Sequence, residues 1–315
     1  MHGTDSLHST QSINKRYRNR NYTSLPLDGL TLLGKGAKGA VYRYDQELIL
    51  KVYNHLNTLQ DIEQEFELTR KALVAGLPVA IPFGIISLDG GYGALYEMVG
   101  SETISNRIAS DPSQVSVYAR SMADFALQLH STDGSHMDLP DYREQIERWI
   151  NTGIATVDQH LTRRIRSLVD AIPRVSTILH GDFHVGNVMV QKDEYLLIDL
   201  DRLSVGHPVM ELGGLHTFYV ALGEQSPDIV RDFMGFSYDT ALKFYQDFLS
   251  CYLRNMEENR AHSFRQMAAL LSYIRCFSRC LRQNTAAPAR DNAADSFLEK
   301  IRALSAMLSP ESLDL

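Results

Sequence analysis

Polar residues separate two apolar runs in the stretch Ile178–Val190, ILHGDFHVGNVMV. The apolar ends are typical of buried strands, but the centre places an acid, two imidazoles and an amide within eight positions. Asp182 and Asn187 are five residues apart, a spacing that on a loop lets a carboxylate and an amide reach different sides of one bound phosphate. The Asp182 carboxylate can orient a substrate hydroxyl and accept its proton, so we predict a loop with Asp182 as base. Loop capping is the structural alternative for both residues, and His180 is expected to hold the loop.

A second apolar run, EYLLIDLDRL, ends in two carboxylates. Asp199 follows Asn187 by twelve residues, a distance that fits a hairpin in which both side chains approach one ion. Carboxylate and amide oxygens are ligands suited to Mg²⁺, and unpaired carboxylates at the end of an apolar strand are costly to desolvate. We therefore expect Asp199 and Asn187 to bind the metal. Asp201 is expected either to bind a second ion or to form a cap or salt bridge.

A glycine-rich segment, GKGAKGAV, lies between two β-like runs near the N-terminus. Because glycine has no Cβ, such a hairpin can bring its backbone N–H groups against phosphate oxygens, although glycine-rich turns also occur for structural reasons alone. The segment lacks the Gly-Lys-Ser/Thr ending of a Walker loop and does not open a helix as a Rossmann turn does. The candidate nucleotide-binding residues in it are Gly34, Gly36, Gly39 and Val41.

Lys51 stands in the apolar run LILKV, where an ammonium group is unexpected. A solvated edge position would explain it, but behind a glycine hairpin the same lysine could reach the phosphates of a nucleotide. It would then need a carboxylate partner, and the following helical pattern offers Glu63, Glu65 and Glu67. We select Glu65 as the partner, because only one of the three is expected to face the strand.

The chain of 315 residues changes character near residue 100. Residues 25–99 contain about five β-like runs and one helical pattern, whereas residues 100–315 are mainly helical. Residues 1–24 are polar and are predicted to form a disordered tail. The fold class is therefore predicted to be α+β, with a small β-rich N-lobe and a larger, mainly helical C-lobe.

The composition is that of a soluble globular protein, with 44% hydrophobic residues and 22% charged residues. Residues 101–315 hold 28 acids and 21 bases, and this mild acidity argues against a nucleic-acid surface. No run approaches the roughly 18 apolar residues of a membrane span, and the N-terminus lacks the apolar core of a secretory signal. Three cysteines, an odd and sparse set, favour a reducing compartment and hence a cytoplasmic location. Oligomeric state is left open.

These motifs, in this order, resemble those of the aminoglycoside phosphotransferase/choline kinase-like family, which has a protein-kinase-like fold. The stretch HGDFHVGN is similar to the family's His-Gly-Asp-x-His-x-Gly-Asn signature, and IDLDRLSVGHPVMEL resembles its metal-binding segment. Val185 and His207 stand where the family usually has Pro and often Asp. Glu211 takes the place of the acid that ends the second segment and is expected to anchor structure.

The resemblance implies ATP and Mg²⁺ as cofactors, with Asp182 as base, Lys51 on phosphate and a hinge at residues 96–99 where the backbone of Glu97 and Val99 meets the adenine. Only about a dozen residues separate Asp199 from Glu211, too few for the peptide platform of protein kinases, so a small hydroxylated molecule is the expected acceptor. A protein kinase and a nucleotide-binding regulator without catalysis are the alternatives.

Overall fold

The computed structural model describes residues 23–25, 27, 29–36, 38–100, 102–191, 194–282, 287–311, 313 and 315. The described residues divide into two compact units. One contains the residues up to Gly100 together with Leu196–Asp201, and the other contains the remainder of the chain. Residues 1–22, which make up most of the predicted tail, lie outside the described residues. In the described part of the chain, no helix combines the length and the apolar character needed to cross a membrane.

The first unit is built on a six-stranded sheet. Its strands are β1 (Thr23–Leu25), β2 (Thr31–Gly36), β3 (Gly39–Arg43), β4 (Leu48–Tyr53), β5 (Pro82–Leu88) and β6 (Gly91–Glu97), in the order β1-β5-β6-β4-β3-β2. All neighbours are antiparallel except β1 and β5. The sequence predicts five of these strands. It does not indicate β1, because three residues at a sheet edge carry no readable alternation.

Helix α1 (Leu59–Val74) packs against β5 and β6. Thr58 caps its N-terminus through a reciprocal capping box with Asp61, and Gly76 follows its end in the left-handed conformation (φ 79°). The buried face carries Ile62 and Leu68 at helical spacing, and Glu65 lies on the same face. The position of Glu65 on the buried face directs its carboxylate toward the sheet.

Strand β4 supplies both faces of the small core. Leu50 packs with β5 and β6 residues on one face, and Tyr53 packs with Ile62 of α1 on the other. Because strand side chains alternate, Lys51 shares the helix-side face with Tyr53. The period of the strand therefore places the ammonium group of Lys51 on the side where α1 presents Glu65.

The second unit is mainly helical, as the sequence predicts. Its helices are α2 (Ile104–Ser110), α3 (Val115–Leu129), α4 (Tyr142–Thr152), α5 (Gln159–Ala171), α6 (Pro208–His216), α7 (Leu222–Gln225), α8 (Pro227–Met234), α9 (Tyr238–Tyr252), α10 (Glu258–Arg282) and α11 (Ala287–Met307). Helix α10 packs against α4, α6 and α11, and α3 packs against α9. The long α10 thus contacts these three helices, and it also contacts the segment Ile178–Val190 through Arg275.

Short strands frame that segment. Strand β8 (Ile178–Leu179) pairs with β11 (Ser204–Val205), and β9 (Val188–Gln191) pairs with β7 (Glu102–Thr103), both antiparallel. The polar residues between β8 and β9 form a loop and a 3₁₀ turn, as the sequence predicts. Strand β10 (Glu194–Leu197) leads to the segment that contains Asp199.

Helix α6 continues directly into a π-helical turn, Thr217–Ala221. Such turns insert an extra residue into a helix and are frequent at functional sites. This one carries Phe218, whose ring contacts His184, and Tyr219, whose hydroxyl accepts a hydrogen bond from Val185.

Candidate active site

Lys51 is the centre of the candidate site in the first unit. Its Nζ lies 2.6 Å from Oε1 of Glu65 and also contacts Oδ1 of Asp199. Burial would lower the pKa of Lys51, but the charges of Asp199 and then Glu65 outweigh burial and raise this pKa above its usual value. Glu63 and Glu67 are exposed, so only one of the three candidate glutamates meets the lysine.

Asp199 has a left-handed backbone conformation, with φ at 59°. For a residue other than glycine this conformation costs roughly 1–2 kcal/mol, and such strain is concentrated at functional sites. The strained backbone presents the carboxylate to Lys51 and leaves the Asp199 side chain 40% exposed. Asp199 is therefore placed to meet both the lysine and a ligand from solvent.

The glycine hairpin joins β2 to β3, and Gly36 and Gly39 pair across it. Gly39 approaches the neighbouring strand so closely that a Cβ would lie 2.0 Å from the carbonyl oxygen of Val52. In the register of the sheet, Val41 pairs with Gly34 on one side and with Lys51 on the other. The strand register thus sets the predicted phosphate-binding hairpin next to the lysine.

Lys38, at the tip of this hairpin, extends the charged cluster. Its Nζ lies 2.9 Å from Oδ2 of Asp201 and 3.4 Å from Oε2 of Glu65. Glu65 therefore contacts both Lys38 and Lys51, and Asp201 forms a salt bridge. Of the alternatives that the sequence leaves open for Asp201, a salt bridge is the one observed in the structure.

The predicted hinge follows β6. The backbone N–H of Val99 donates to the carbonyl of Glu97 at 3.1 Å, and the N–H of Met98 donates to the carbonyl of Glu47 at 2.7 Å. The N–H of Glu97 donates to the carbonyl of Ile81. The hinge is thus fixed to its neighbours by Met98 and Glu97, while the Val99 amide donates locally to the Glu97 carbonyl.

In the second unit, Glu211 anchors the loop that contains Asp182. Its buried carboxylate accepts hydrogen bonds from the backbone N–H groups of His180 at 3.0 Å and Gly181 at 2.6 Å. It also lies 3.1 Å from Nε2 of His130. Gly181 is left-handed (φ 81°), and a Cβ there would lie 2.1 Å from the carbonyl oxygen of Arg202. Only glycine fits this position.

Asp182 follows this anchored turn and is surrounded by positive charge. Its Oδ1 lies 3.1 Å from Nη2 of Arg275 and 3.7 Å from Nη1 of Arg202, and its Oδ2 lies 4.0 Å from Nε2 of His184. Burial would raise the pKa of Asp182, but the charges of Arg275 and then Arg202 lower it to about 2. The carboxylate is therefore ionised at any physiological pH.

The sequence reasoning does not identify Arg275 or Arg202. Arg275 lies on α10 between buried residues, in SYIRCFS, and its guanidinium lies over the rings of Phe218 at 4.9 Å and Trp149 at 5.5 Å. Trp149 is buried. An arginine inside an apolar helical pattern is the signal that could have indicated Arg275.

Asn187 stabilises the loop from its other end. Its Nδ2 donates to the backbone carbonyl of Asp182 at 2.9 Å, which leaves the amide oxygen available to a ligand. His184 accepts from the N–H of Gly186 at 3.1 Å and caps the 3₁₀ turn that contains Asn187. The Tyr219 hydroxyl accepts from the N–H of Val185 at 3.0 Å. Each of these contacts restricts the positions of Asp182 and Asn187.

The two predicted metal ligands, Asn187 and Asp199, belong to different units. Their amide and carboxylate oxygens are the donor types that Mg²⁺ prefers, and Mg²⁺ is typically held by one or two carboxylates with water and phosphate oxygens. Among the described residues, no group of three or more histidine, cysteine, aspartate or glutamate side chains is arranged to hold a metal ion. The donor types of these two residues are therefore compatible with Mg²⁺.

A small antiparallel sheet with a buried lysine–glutamate pair, and a helical unit with an anchored aspartate loop, define a protein-kinase-like phosphotransferase. Residues 29–243 match the model of the phosphotransferase enzyme family. The match covers more than half of the chain, and the protein belongs to this family. The family expected from the motifs is confirmed, and so is the fold class.

Solved structures with similar folds include an ADP-bound aminoglycoside phosphotransferase, at 14% identity and a TM-score of 0.57, with 95% of this chain and 98% of that chain covered. An amicoumacin kinase in complex with AMP-PNP and Ca²⁺ has 14% identity and a TM-score of 0.58, with 98% and 95% covered. A choline/ethanolamine kinase family protein from Mesorhizobium loti has 14% identity and a TM-score of 0.54, with 96% of each chain covered. No curated protein sequence matches the chain significantly.

Proposed function

We propose that the protein is an ATP- and Mg²⁺-dependent kinase that transfers the γ-phosphoryl group of ATP to a hydroxyl of a small molecule. The observation that carries this proposal is the buried contact of Lys51 with both Glu65 and Asp199. A lysine held in this way between a helix glutamate and a metal-strand aspartate is the arrangement by which kinase folds bind phosphates. The similar structures bound to ADP and AMP-PNP support nucleotide binding.

The first unit would bind the nucleotide. The N–H groups of the glycine hairpin and the ammonium of Lys51 would contact phosphate oxygens, with the Glu65 carboxylate holding the lysine in place. At the hinge, the Glu97 carbonyl and the Val99 N–H are a neighbouring acceptor and donor. Adenine presents the complementary donor and acceptor, so it can replace their mutual hydrogen bond with two of its own.

Asp199 and Asn187 would hold Mg²⁺ through oxygen atoms. When bound, the ion would neutralise charge on the transferring phosphoryl group. The hydrogen bond from Asn187 Nδ2 to the Asp182 carbonyl leaves the amide oxygen for a ligand, and the Asp199 side chain is 40% exposed.

Asp182 would orient the acceptor hydroxyl and take its proton. Arg275 occupies Oδ1, and Oδ2 is the atom left for the hydroxyl. A carboxylate with a pKa of about 2 is a weak base. Phosphoryl transfer passes through a loose transition state in most analyses, so positioning the nucleophile matters more than base strength.

The acceptor would be a small molecule. The segment between Asp199 and Glu211 contains β11 and the start of α6 and has no room for a long activation segment. Similar structures hold gentamicin or streptomycin, which supports a small hydroxylated acceptor as a class. All three cysteines lie in the described residues and are free, which supports a cytoplasmic location.

A screen of ATP consumption tests the proposal. The protein is incubated with ATP and Mg²⁺ against sugars, amino alcohols, hydroxy acids and aminoglycosides, with product phosphorylation followed by mass spectrometry. We expect turnover on at least one small acceptor and a loss of at least ~10²-fold in Asp182→Asn with ATP binding retained. Phosphate transfer to proteins of an extract but to no small molecule would refute the proposed acceptor class, and nucleotide binding without any transfer would refute catalysis.

A further inference from the structure

The geometry points to Arg275 as a positioning residue that fixes the Asp182 carboxylate in its reactive orientation, an inference that rests on the function proposed above. Nη2 of Arg275 donates to Oδ1 of Asp182 at 3.1 Å. This contact engages Oδ1, so Oδ2, which lies 4.0 Å from Nε2 of His184, is the oxygen proposed to receive the hydroxyl. The two residues are 93 positions apart, so tertiary packing alone brings α10 to the loop.

Arg275 is a tighter partner of Asp182 than Arg202 is. The Arg202 contact is longer, at 3.7 Å, and its side chain is 43% exposed, against 14% for Arg275. An ion pair of buried groups is screened less by water and salt, so the more buried guanidinium has the stronger hold on the carboxylate. Arg275 is therefore the partner that sets the direction of the Asp182 carboxylate.

The orientation of Arg275 is itself fixed by rings. Its guanidinium lies over Phe218 of the π turn and over Trp149 of α4, and both contacts are within cation–π range. The Cβ that Gly214 of α6 lacks would lie 3.5 Å from Nη1. Contacts from α4, α6 and the π turn therefore restrict rotation of the Arg275 guanidinium.

Stability alone does not explain a buried arginine at this position. Nη1 is buried and has no hydrogen-bond partner among the described residues. An unsatisfied buried donor destabilises a fold, and an apolar side chain of similar volume would avoid that cost. The Arg275 guanidinium therefore acts through its hydrogen bond to Asp182, and it would affect turnover by this contact.

Variants on one helix separate positioning from packing. Arg275→Met fills the space between the rings without charge, and Arg275→Lys keeps the charge without the planar fork. Arg279→Gln, one turn later and exposed, is the matched control. We expect Arg275→Met to lower kcat by about 10- to 100-fold, with the KM for ATP unchanged, because only the proposed base is disturbed. Arg275→Lys should retain part of the turnover, and Arg279→Gln should match the wild type.

A double variant tests whether Arg275 acts through Asp182. If it does, Arg275→Met adds no further loss of kcat to Asp182→Asn, because the base on which it acts is already absent. Multiplication of the two losses would show an independent role and would overturn the inference. Equal kcat in Arg275→Met and Arg279→Gln would overturn it as well.

Chemical rescue provides a readout that packing would not produce. Arg275→Ala leaves a space between Trp149 and Phe218, and millimolar guanidinium, far below denaturing concentrations, should restore turnover in it saturably. Urea, planar but neutral, should not. Guanidinium should also raise the Tm of this variant saturably, a measurement that needs no acceptor. Rescue by urea and guanidinium alike would assign the residue to packing.

Absence of phosphotransfer by the wild type would refute the proposed function, whereas full turnover in Arg275→Met would refute the inference alone.

Discussion

Asn187 donates its side-chain amide to the backbone carbonyl of Asp182, so the residue proposed to bind metal also braces the residue proposed as base. A single substitution at Asn187 therefore affects two tasks, and the two can be separated by choosing which side-chain atom is lost.

Asn187→Asp should keep an oxygen for the metal and lose the donor to Asp182. We expect this variant to bind Mg²⁺-nucleotide but to lose at least about 10-fold in kcat, because the base is no longer braced. Asn187→Ala should lose both properties and about 1 kcal/mol of stability. Mg²⁺ titrations of nucleotide binding, together with thermal unfolding, measure the two effects. Equal Mg²⁺ dependence in the two variants would remove Asn187 from the metal site.

Glu65 should be the most important of the three glutamates on α1 for stability. Removing it takes one carboxylate from Lys51 and one from Lys38, which keep Asp199 and Asp201 as partners, so we expect a loss of about 1–3 kcal/mol. Glu67→Ala is the matched control, because Glu67 is exposed on the same helix and should change stability by no more than about 0.5 kcal/mol. Denaturant unfolding gives both values. Similar losses for Glu65→Ala and Glu67→Ala would contradict the assigned pairing.

Gly181 should not tolerate alanine. Its φ of 81° disfavours any side chain, and a Cβ would clash with the carbonyl of Arg202, so we expect a loss of more than about 3 kcal/mol or failure to fold. Gly76 has a φ of 79° with no atom within 4 Å of a Cβ. Gly76→Ala should therefore cost only about 1 kcal/mol. Thermal unfolding of the two variants separates the clash from the backbone strain.

Acceptor charge should matter in a definite direction. Arg275 and Arg202 place two positive charges beside Asp182, and like charges brought close to them are repelled. We expect neutral or anionic alcohols to be phosphorylated with a kcat/KM at least about 10-fold higher than polycationic ones. Arg202→Gln should reduce this ratio of kcat/KM values, and Asp182 should stay in place because its contact with Arg275 remains. A polycation that ranks first in the wild type would contradict the prediction.

Turnover should not fall through protonation of Asp182 at any pH above about 4. Its pKa is depressed to about 2, so the ionised form persists above about pH 4. A depressed folded-state pKa stabilises the fold above the unfolded-state pKa of about 3.9, and this contribution is lost as the pH falls toward 2. The difference in the free energy of unfolding between the wild type and Asp182→Asn should therefore be constant between about pH 4 and pH 6 and should shrink as the pH falls below about 4. A difference that changes above about pH 5 would contradict the assigned environment.

Sequence periodicity predicts the local parts of this molecule well. The alternation in LILKV and the helical spacing of Ile62 and Leu68 around Glu65 place the lysine and the glutamate on facing surfaces, and the contact is present. The fold class follows from such local patterns, the family follows from the resemblance of two motifs, and both are confirmed. The surroundings of Asp182 do not follow from them. Arg275 reaches the loop from 93 residues away, and no local period encodes that proximity.

Asp201 shows the same limit at short range. Its place near the end of an apolar run is compatible with metal binding, capping or a salt bridge. The salt bridge in the structure is formed with Lys38, which is distant from Asp201 in the chain, so the sequence around either residue does not encode it.

The π turn at Thr217–Ala221 has a consequence for how this protein tolerates change in length. Each residue of a helix advances the side chains by about 100° around the axis, so deleting one residue here would swing Phe218 and Tyr219 away together. This one deletion would remove both the contact of Arg275 with the Phe218 ring and the hydrogen bond from Val185 N–H to the Tyr219 hydroxyl. A shortened, regular helix could still pack its apolar residues, yet it would uncouple the loop from the bundle. The number of residues in this turn therefore sets the positions of Phe218 and Tyr219 relative to the loop that contains Asp182.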